Sequence, residues 1–562
     1  MRVRRSMTRM RKFRPNLSLF LRSKFLRSKC KLLPCFAAAL GLAAFPASRA
    51  AAATCESLLS LTLPGATINA AQSIPAGSYT APDGEVFANM PAFCRVAATL
   101  APTSDSEIGI EVWMPASGWN GRFEGVGNGG FAGSINYADM APGVSLGYAT
   151  ASTDTGHIGS STDGSFALGQ PQKIIDFGYR AIHLMTVRGK QISDAFYGEN
   201  AQHSYFDGCS TGGRQALMEA QRFANDYDGI IAGDPVADYT HHHVGGNLWV
   251  VRQMFNNPAS TVFTTQDTLL GNAVNAACGT FDSVAGGVLN DPRLCHFNPE
   301  KLLCEGSQKP PNCLTAQQVE AVRNIWTGPD QIVHQENYYP PFERGGEADG
   351  WPFSISPEPP PAQQTDHHKE IGIPFFRYFV FDDPNWDFRT FNWISDPAYV
   401  DNKLVVAGQT LASVLNSINP DLSQFQAHGG KLIQYHGFSD PEVPPLTSIN
   451  YFESVVSFPD GSFSGKSSPA GSEQTQEYYR LFMVPGMNHC KGGPGANVFD
   501  MLTPLVQWVE DDNAPSRIIA THYINNDPTH GVQFTRPLCS YPREAVYKGS
   551  GNPNDAANFA CK

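Results

Sequence analysis

HSYFDGCSTGGRQALMEAQRFA, residues 203–224, decides how this chain is read. Its first six residues make a short apolar strand, and from about Thr211 to Ala224 the stripe Ala216, Ala220, Phe223 marks a helix. Between the two stands Ser210, at the centre of G-x-S-x-G (Gly208, Ser210, Gly212). That pattern belongs to a sharp strand-to-helix turn which lifts a serine hydroxyl clear of a sheet. The pattern alone is weak, since chance supplies it about once in three chains of this glycine and serine content. The flanking strand and helix give it weight.

A serine hydroxyl is a poor nucleophile at neutral pH and needs a base in reach, itself oriented by a carboxylate. Where the serine sits on such a turn, the chain order is Ser, then Asp or Glu, then His, each following a strand. Two later strands supply that order. KLIQYHG (431–437) leads to Asp440, and RLFMVPG (480–486) leads to His489. The bland readings are a turn aspartate before Pro441 and a solvated loop histidine. Ser210 as nucleophile, His489 as general base and then acid, and Asp440 as the group holding the imidazolium is the sharper reading. The backbone N–H of Thr211 is the expected oxyanion donor, with a second from GVGNGGFAG (125–133), at Gly129 or Gly130. That loop also contains GxGxxG (Gly125, Gly127, Gly130), but it lacks the βαβ continuation of a nucleotide site.

IGIEVWMP (108–115) and WNGRFEGVGNGG (119–130) read as strand, turn, strand, and GIIAG (229–233) as a further short strand. Strands alternating with helices predict a mainly parallel sheet covered on both faces, the α/β-hydrolase fold. From about Asp238 to Leu422 the rhythm breaks into Pro, Asn, aromatics and local cysteines. An unstructured loop of that length is improbable, so this stretch reads as a folded lid inserted between the nucleophile strand and the acid strand. The expected layout is a signal peptide at 1–53, core at 54–237, lid at 238–423 and core again at 424–562.

The signal peptide rests on composition. Residues 1–31 hold twelve Lys or Arg and no acid, followed by an apolar run too short to span a bilayer and by PASRAAAA. Export, secreted or periplasmic, is the expectation. Loss of residues 1–50 removes thirteen cations and takes the formal charge from −12 to −25. So acidic a surface argues against nucleic acid and anionic membranes as partners. Ten cysteines remain beyond residue 50. An even number in an exported chain reads as disulfides. Close spacing suggests Cys55 with Cys94, Cys278 with Cys295, Cys304 with Cys313 and Cys539 with Cys561. Cys209 and Cys490, the neighbours of Ser210 and His489, are then left for each other. Ten cysteines allow on the order of a thousand pairings, so spacing leaves the connectivity open. Zinc is disfavoured because no C-x2-C pair occurs.

His241-His242-His243 and His367-His368 invite a metal reading. Consecutive residues of an extended chain face opposite ways, so surface loop or lid packing is favoured. Phe375, Phe376, Tyr378, Phe379, Phe381 and Trp386 read as lid core, part of which walls a pocket for an aromatic acyl group.

Taken together, DGCSTGGRQALMEAQRF (207–223), YHGFSDPEVPP (435–445), GMNHCKGG (486–493), WNGRFEGVGNGGFAG (119–133) and FDDPNWDFRTFNW (381–393) resemble the tannase and feruloyl esterase family, which includes mono(2-hydroxyethyl) terephthalate hydrolases. The likeness runs from about Cys55 to Cys561. It implies the triad Ser210, Asp440, His489, a Cys209–Cys490 bridge beneath it and the four local disulfides. It implies a serine carboxylic-ester hydrolase acting on feruloyl (hydroxycinnamoyl) or galloyl esters, with terephthalate monoesters as the alternative and no cofactor for the chemistry. A peptidase and an inactive secreted binding protein on the same scaffold are the rival classes. One departure stands out. The family's lid carries a calcium loop D-x-x-D-G-x-x-D-G-V-I, whereas here Cys278 is followed by GTFDSVAGGVL. Asp282 persists, but Gly279 and Gly286 replace outer carboxylates. Asp282, Val284 and Val288 are therefore the remnant of a site expected to bind calcium weakly or not at all.

Overall fold

Nine strands hydrogen-bond into one sheet in this computed structural model, which describes residues 53–279, 287–362, 365–406, 408–458 and 469–562. The signal-peptide reading falls, but for its last residue, outside that set, as do Asp282 and Val284 of the calcium remnant; Val288 lies within it, half-buried.

The strands are β1 (Ala66–Ile74), β2 (Phe93–Leu100), β3 (Ile108–Pro115), β4 (Arg122–Val126), β5 (Ala149–Thr153), β6 (His203–Cys209), β7 (Gly229–Gly233), β8 (Lys431–Gly437) and β9 (Tyr479–Val484). Their spatial order is β1-β2-β3-β5-β4-β6-β7-β8-β9. From β5 to β9 all neighbours are parallel, while β1, β2, β3 and β5 pair antiparallel. The stretches 108–115 and 119–130 do form strands, β3 and β4, but they are not adjacent: β5 lies between them. A short sequence gap favours a hairpin reading, and here the crossover of a parallel sheet prevails.

Alternation along the central strands explains the two covered faces. Phe206, Ile230, Leu432 and Leu481 pack into one core with Ile182, Met185, Ala216, Leu217 and Ala220. These last residues lie on α1 (Ala181–Tyr197) and α2 (Thr211–Arg222). Their strand neighbours Tyr205, Ile231, Ile433 and Phe482 face the other way, against Leu505 and Trp508 of the helix Leu502–Asp511.

Between β7 and β8 the described residues add no strand to the large sheet. That stretch is chiefly helical and builds two cores of its own. One gathers Val250, Met254, Leu270, Val274, Val322 and Trp351. The other holds the aromatic cluster foreseen from sequence and runs on into Phe131 and Val443, beside the chain ends that carry the candidate site. Phe375, Phe376 and Phe379 are fully buried, so they are core rather than free pocket wall. Among the described residues no helix is long and apolar enough to cross a membrane.

The histidine run is not extended chain, as the sequence suggested, but lies in a helical turn. His242 and His243 are buried and His241 partly so. His241 bridges Asp238 and Asp401 at 2.9 Å each, His242 meets Tyr339 and His243 meets Asn247. Each ring packs with its own partner, so the surface-loop option is ruled out and packing is what remains.

Candidate active site

Ser210 caps α2 with φ 64° and ψ −122°, a conformation that costs a non-glycine residue energy and recurs at functional turns. Its N–H donates to Gly233 O (2.9 Å) at the end of β7, and its carbonyl accepts from Arg214 N (3.0 Å). The turn is tight because of glycine. A Cβ on Gly127 would lie 2.6 Å from Cα of Gly212, so the loop after β4 rests directly on the first turn of α2. In that loop Gly130 has φ +54° and its carbonyl accepts from Thr211 Oγ1 at 2.7 Å. The N–H of Thr211, first in its helix, has no intrahelical acceptor. Gly129 and Gly130 thus sit in the loop that touches the residue after Ser210.

Cys209 and Cys490 are disulfide-bonded, with Cα atoms 6.0 Å apart across 281 residues of chain. The bridge ties the residue before Ser210 to the residue after His489. The other four disulfides are Cys55–Cys94, Cys278–Cys295, Cys304–Cys313 and Cys539–Cys561.

His489 Nδ1 lies 2.7 Å from Asp440 Oδ2. Asp440 is buried, and its other oxygen accepts from the backbone N–H groups of Glu442 (2.8 Å) and Val443 (2.9 Å). With Nδ1 engaged by Asp440, Nε2 is the ring nitrogen of His489 left for proton transfer. Among the described residues no hydrogen bond joins Nε2 to Ser210 Oγ; the nearest charge to Nε2 is Glu442 Oε2, at 3.6 Å. Such contacts are often long before substrate arrives.

Residues that sequence reasoning missed complete the site. His436, at the end of β8, is fully buried. Its Nε2 lies 3.0 Å from Val443 O and 3.2 Å from Asp440 Oδ2, and its Nδ1 lies 2.6 Å from Ser448 Oγ. Asp234, just past β7, accepts from Gly437 N at 2.8 Å and stands 3.8 Å from His436 Nε2. Burial pushes the Asp234 carboxyl up to about 7, although His436 pulls the other way. Burial also opposes the charge on Asp440, yet the charge of His489 and the hydrogen bond from His436 outweigh it, and Asp440 is held far below the usual carboxylate range. For His489 burial works downward, but the charges of Asp440 and Glu442 prevail and raise it above the ordinary histidine value. The signal for His436 was in QYHG, a polar residue ending a buried strand, but its partners come from β7 and from a helix after β8.

Two described groups besides the cysteines have the composition of a metal site: Asp234–His436–Asp440 and His183–Glu219–Asp226. In the first the side chains are already engaged with one another. Chemically, the arrangement offers a hydroxyl on a strained turn, an imidazole polarised by a buried carboxylate, and the first-turn N–H of Thr211 next to the serine.

Comparison with known proteins bears on the family and the fold. The family model described as tannase and feruloyl esterase matches residues 94–562. A protein of Xanthomonas campestris pv. campestris, described as an uncharacterized esterase, is 42% identical over 530 residues, covering 91% of each chain. Feruloyl esterase C of Talaromyces stipitatus is 33% identical over 484 residues, 83% of this chain and 85% of its own. The crystal structure of feruloyl esterase B from Aspergillus oryzae superposes with a TM-score of 0.78 at 28% identity, covering 90% of this chain and 99% of the other.

Proposed function

The chain belongs to the tannase and feruloyl esterase family, and on that ground we propose that it hydrolyses feruloyl-type or galloyl esters as an exported serine esterase. An ester hydrolase of aromatic acids follows from the family itself. The finer reading is ours. Ser210 Oγ attacks the ester carbonyl while His489 Nε2 takes its proton, and the N–H groups of Thr211 and of Gly129 or Gly130 hold the oxyanion. Collapse expels the alkoxide, which receives the proton from His489 and leaves a feruloyl or galloyl ester on Ser210. Water, deprotonated by His489, then releases the acid. Asp440 keeps the imidazole in the tautomer that points Nε2 at the hydroxyl, and His436 keeps Asp440 ionised.

The single observation that carries this reading is the His489–Asp440 contact of 2.7 Å, borne on the chain that Cys490 ties to the serine turn. Residues 238–423 act as a lid and residues 1–53 as a signal peptide in this proposal. The chemistry needs no cofactor. The stretch after Cys278 retains too few carboxylates to hold calcium tightly. Terephthalate monoesters are the alternative substrate, but no residue favours them.

Steady-state kinetics on matched methyl ferulate, methyl gallate and terephthalate monoesters test the proposal. The first or second is expected to give kcat/KM at least about tenfold above the third, in the ordinary enzyme range of 10⁴ M⁻¹s⁻¹ or more. Preference for the terephthalate ester would overturn the substrate reading. Cleavage of peptides in place of all three would overturn the reaction class.

A further inference from the structure

One charged side chain at the site has no part in the steps just described. Glu442 follows Asp440 by two residues, and its backbone N–H is spent on the Asp440 carboxylate. Its side chain turns to the opposite face of His489. Oε2 lies 3.6 Å from His489 Nε2 and 3.2 Å from His367 Nε2, and Oε1 accepts weakly from Ser354 Oγ at 3.4 Å. The side chain is 22% exposed, against 13% for His489 and none for Asp440, so the carboxylate looks outward where Asp440 cannot. The other titratable groups around His489 are Asp440 at Nδ1, with His436 and Asp234 behind it, and the imidazoles of His367, His242 and His368. Among the described carboxylates Glu442 alone lies within 4 Å of Nε2.

That position has a chemical meaning. Nε2 must hand its proton to the departing alkoxide, so the leaving oxygen sits within hydrogen-bond reach of it, about 3 Å away. Whatever the alcohol carries on its next few atoms therefore meets the Glu442 carboxylate. We propose that Glu442 is the specificity-determining residue on the leaving-alcohol side, favouring neutral alcohols that bear hydroxyl groups and excluding alcohols that bear an anion. Hydroxyl groups donate to its free lone pairs in a charge-assisted hydrogen bond. A carboxylate on the alcohol, about 7 Å away in a partly exposed site, is repelled strongly enough to lower kcat/KM at least about tenfold. The inference rests on the assignment of His489 as the group that protonates the leaving oxygen. It concerns the alcohol, which the family match leaves open.

The test uses two feruloyl esters of equal size, the glycolamide and the glycolate, which differ only in the charge on the alcohol. The wild-type protein is expected to turn over the glycolamide ester at least about tenfold better in kcat/KM, with the gap narrowing as salt shortens the Debye length from about 10 Å at 0.1 M to about 3 Å at 1 M. In Glu442→Gln, which keeps shape and removes charge, the gap is expected to close to within about twofold while the glycolamide ester is still cleaved. A wild-type enzyme that accepts both esters equally, a gap insensitive to salt, or an unchanged gap in Glu442→Gln would each overturn the proposal. Failure of the wild type to cleave either ester would instead count against the esterase reading beneath it.

Discussion

Ser210→Ala is expected to lower kcat on methyl ferulate by about five to six orders of magnitude while leaving the fold and the KM-range binding of the ester in place. The size follows from mechanism: without the hydroxyl no acyl-enzyme forms, and His489 has nothing to deprotonate in the first step. Residual turnover should not vanish entirely, because oxyanion donors and substrate positioning alone leave about 10³–10⁴-fold over water. The substitution is mild for stability. Ser210 holds a positive φ that alanine also adopts at a cost, but among the described residues its side chain has no hydrogen-bond partner, and the backbone bonds to Gly233 and Arg214 persist. Stopped and continuous assays with circular dichroism on the same sample check this. A well-folded Ser210→Ala protein within tenfold of wild-type activity would remove the serine from the mechanism.

The second large effect is expected from the bridge. Cys209 and Cys490 close a loop of 281 residues, which in the chain-entropy model stabilises the fold by about 5 kcal/mol. That is comparable to the whole net stability of many domains. Its local effect matters more for function. The bridge clamps the residues flanking Ser210 and His489, and Cys490 itself holds φ +61°, a conformation the link helps to maintain. A misplacement of about 1 Å in such a constellation costs on the order of 100-fold. The double variant Cys209→Ala, Cys490→Ala is therefore expected to lose at least about 99% of kcat/KM at temperatures where circular dichroism still reports a folded protein, and to melt well below the wild type. Wild-type turnover by the folded double variant would show that the sheet alone sets the distance between hydroxyl and imidazole.

Much of this was legible from sequence because local chemistry and global fold agree at the ends of three strands. Gly208, Ser210 and Gly212 announce a turn whose tightness the structure traces to the approach of Gly127 on Gly212. Asp440 and His489 each follow a short apolar strand ending at glycine, and those strands pair in parallel as β8 and β9. What escaped sequence reading is made by contacts distant along the chain. Asp234 carried no signal of its own in sequence, and only the register of β7 against β8 sets it beside Gly437 and His436. His436 looked like one more strand residue until Ser448 and Val443 surrounded it. Glu442 was one letter within DPEVPP, and its proximity to His489 Nε2 depends on where the loops after β8 and β9 end. The position of β5 between β3 and β4 was hidden for the same reason: nearness in sequence suggests a hairpin, while crossover packing is a property of the whole sheet. The packing of the histidine run was foreseen, but its backbone was taken as extended, whereas a helical turn carries it.

The claim on which the account stands is that an acyl group passes through Ser210. Rapid acid quench of the protein turning over methyl ferulate, followed by intact-mass and peptide mass spectrometry, tests it most directly. The account predicts a feruloyl adduct on the peptide that carries Ser210, absent from Ser210→Ala and lost on further incubation as ferulate is released. Turnover with no adduct at Ser210, or an adduct mapped to another residue, would contradict it.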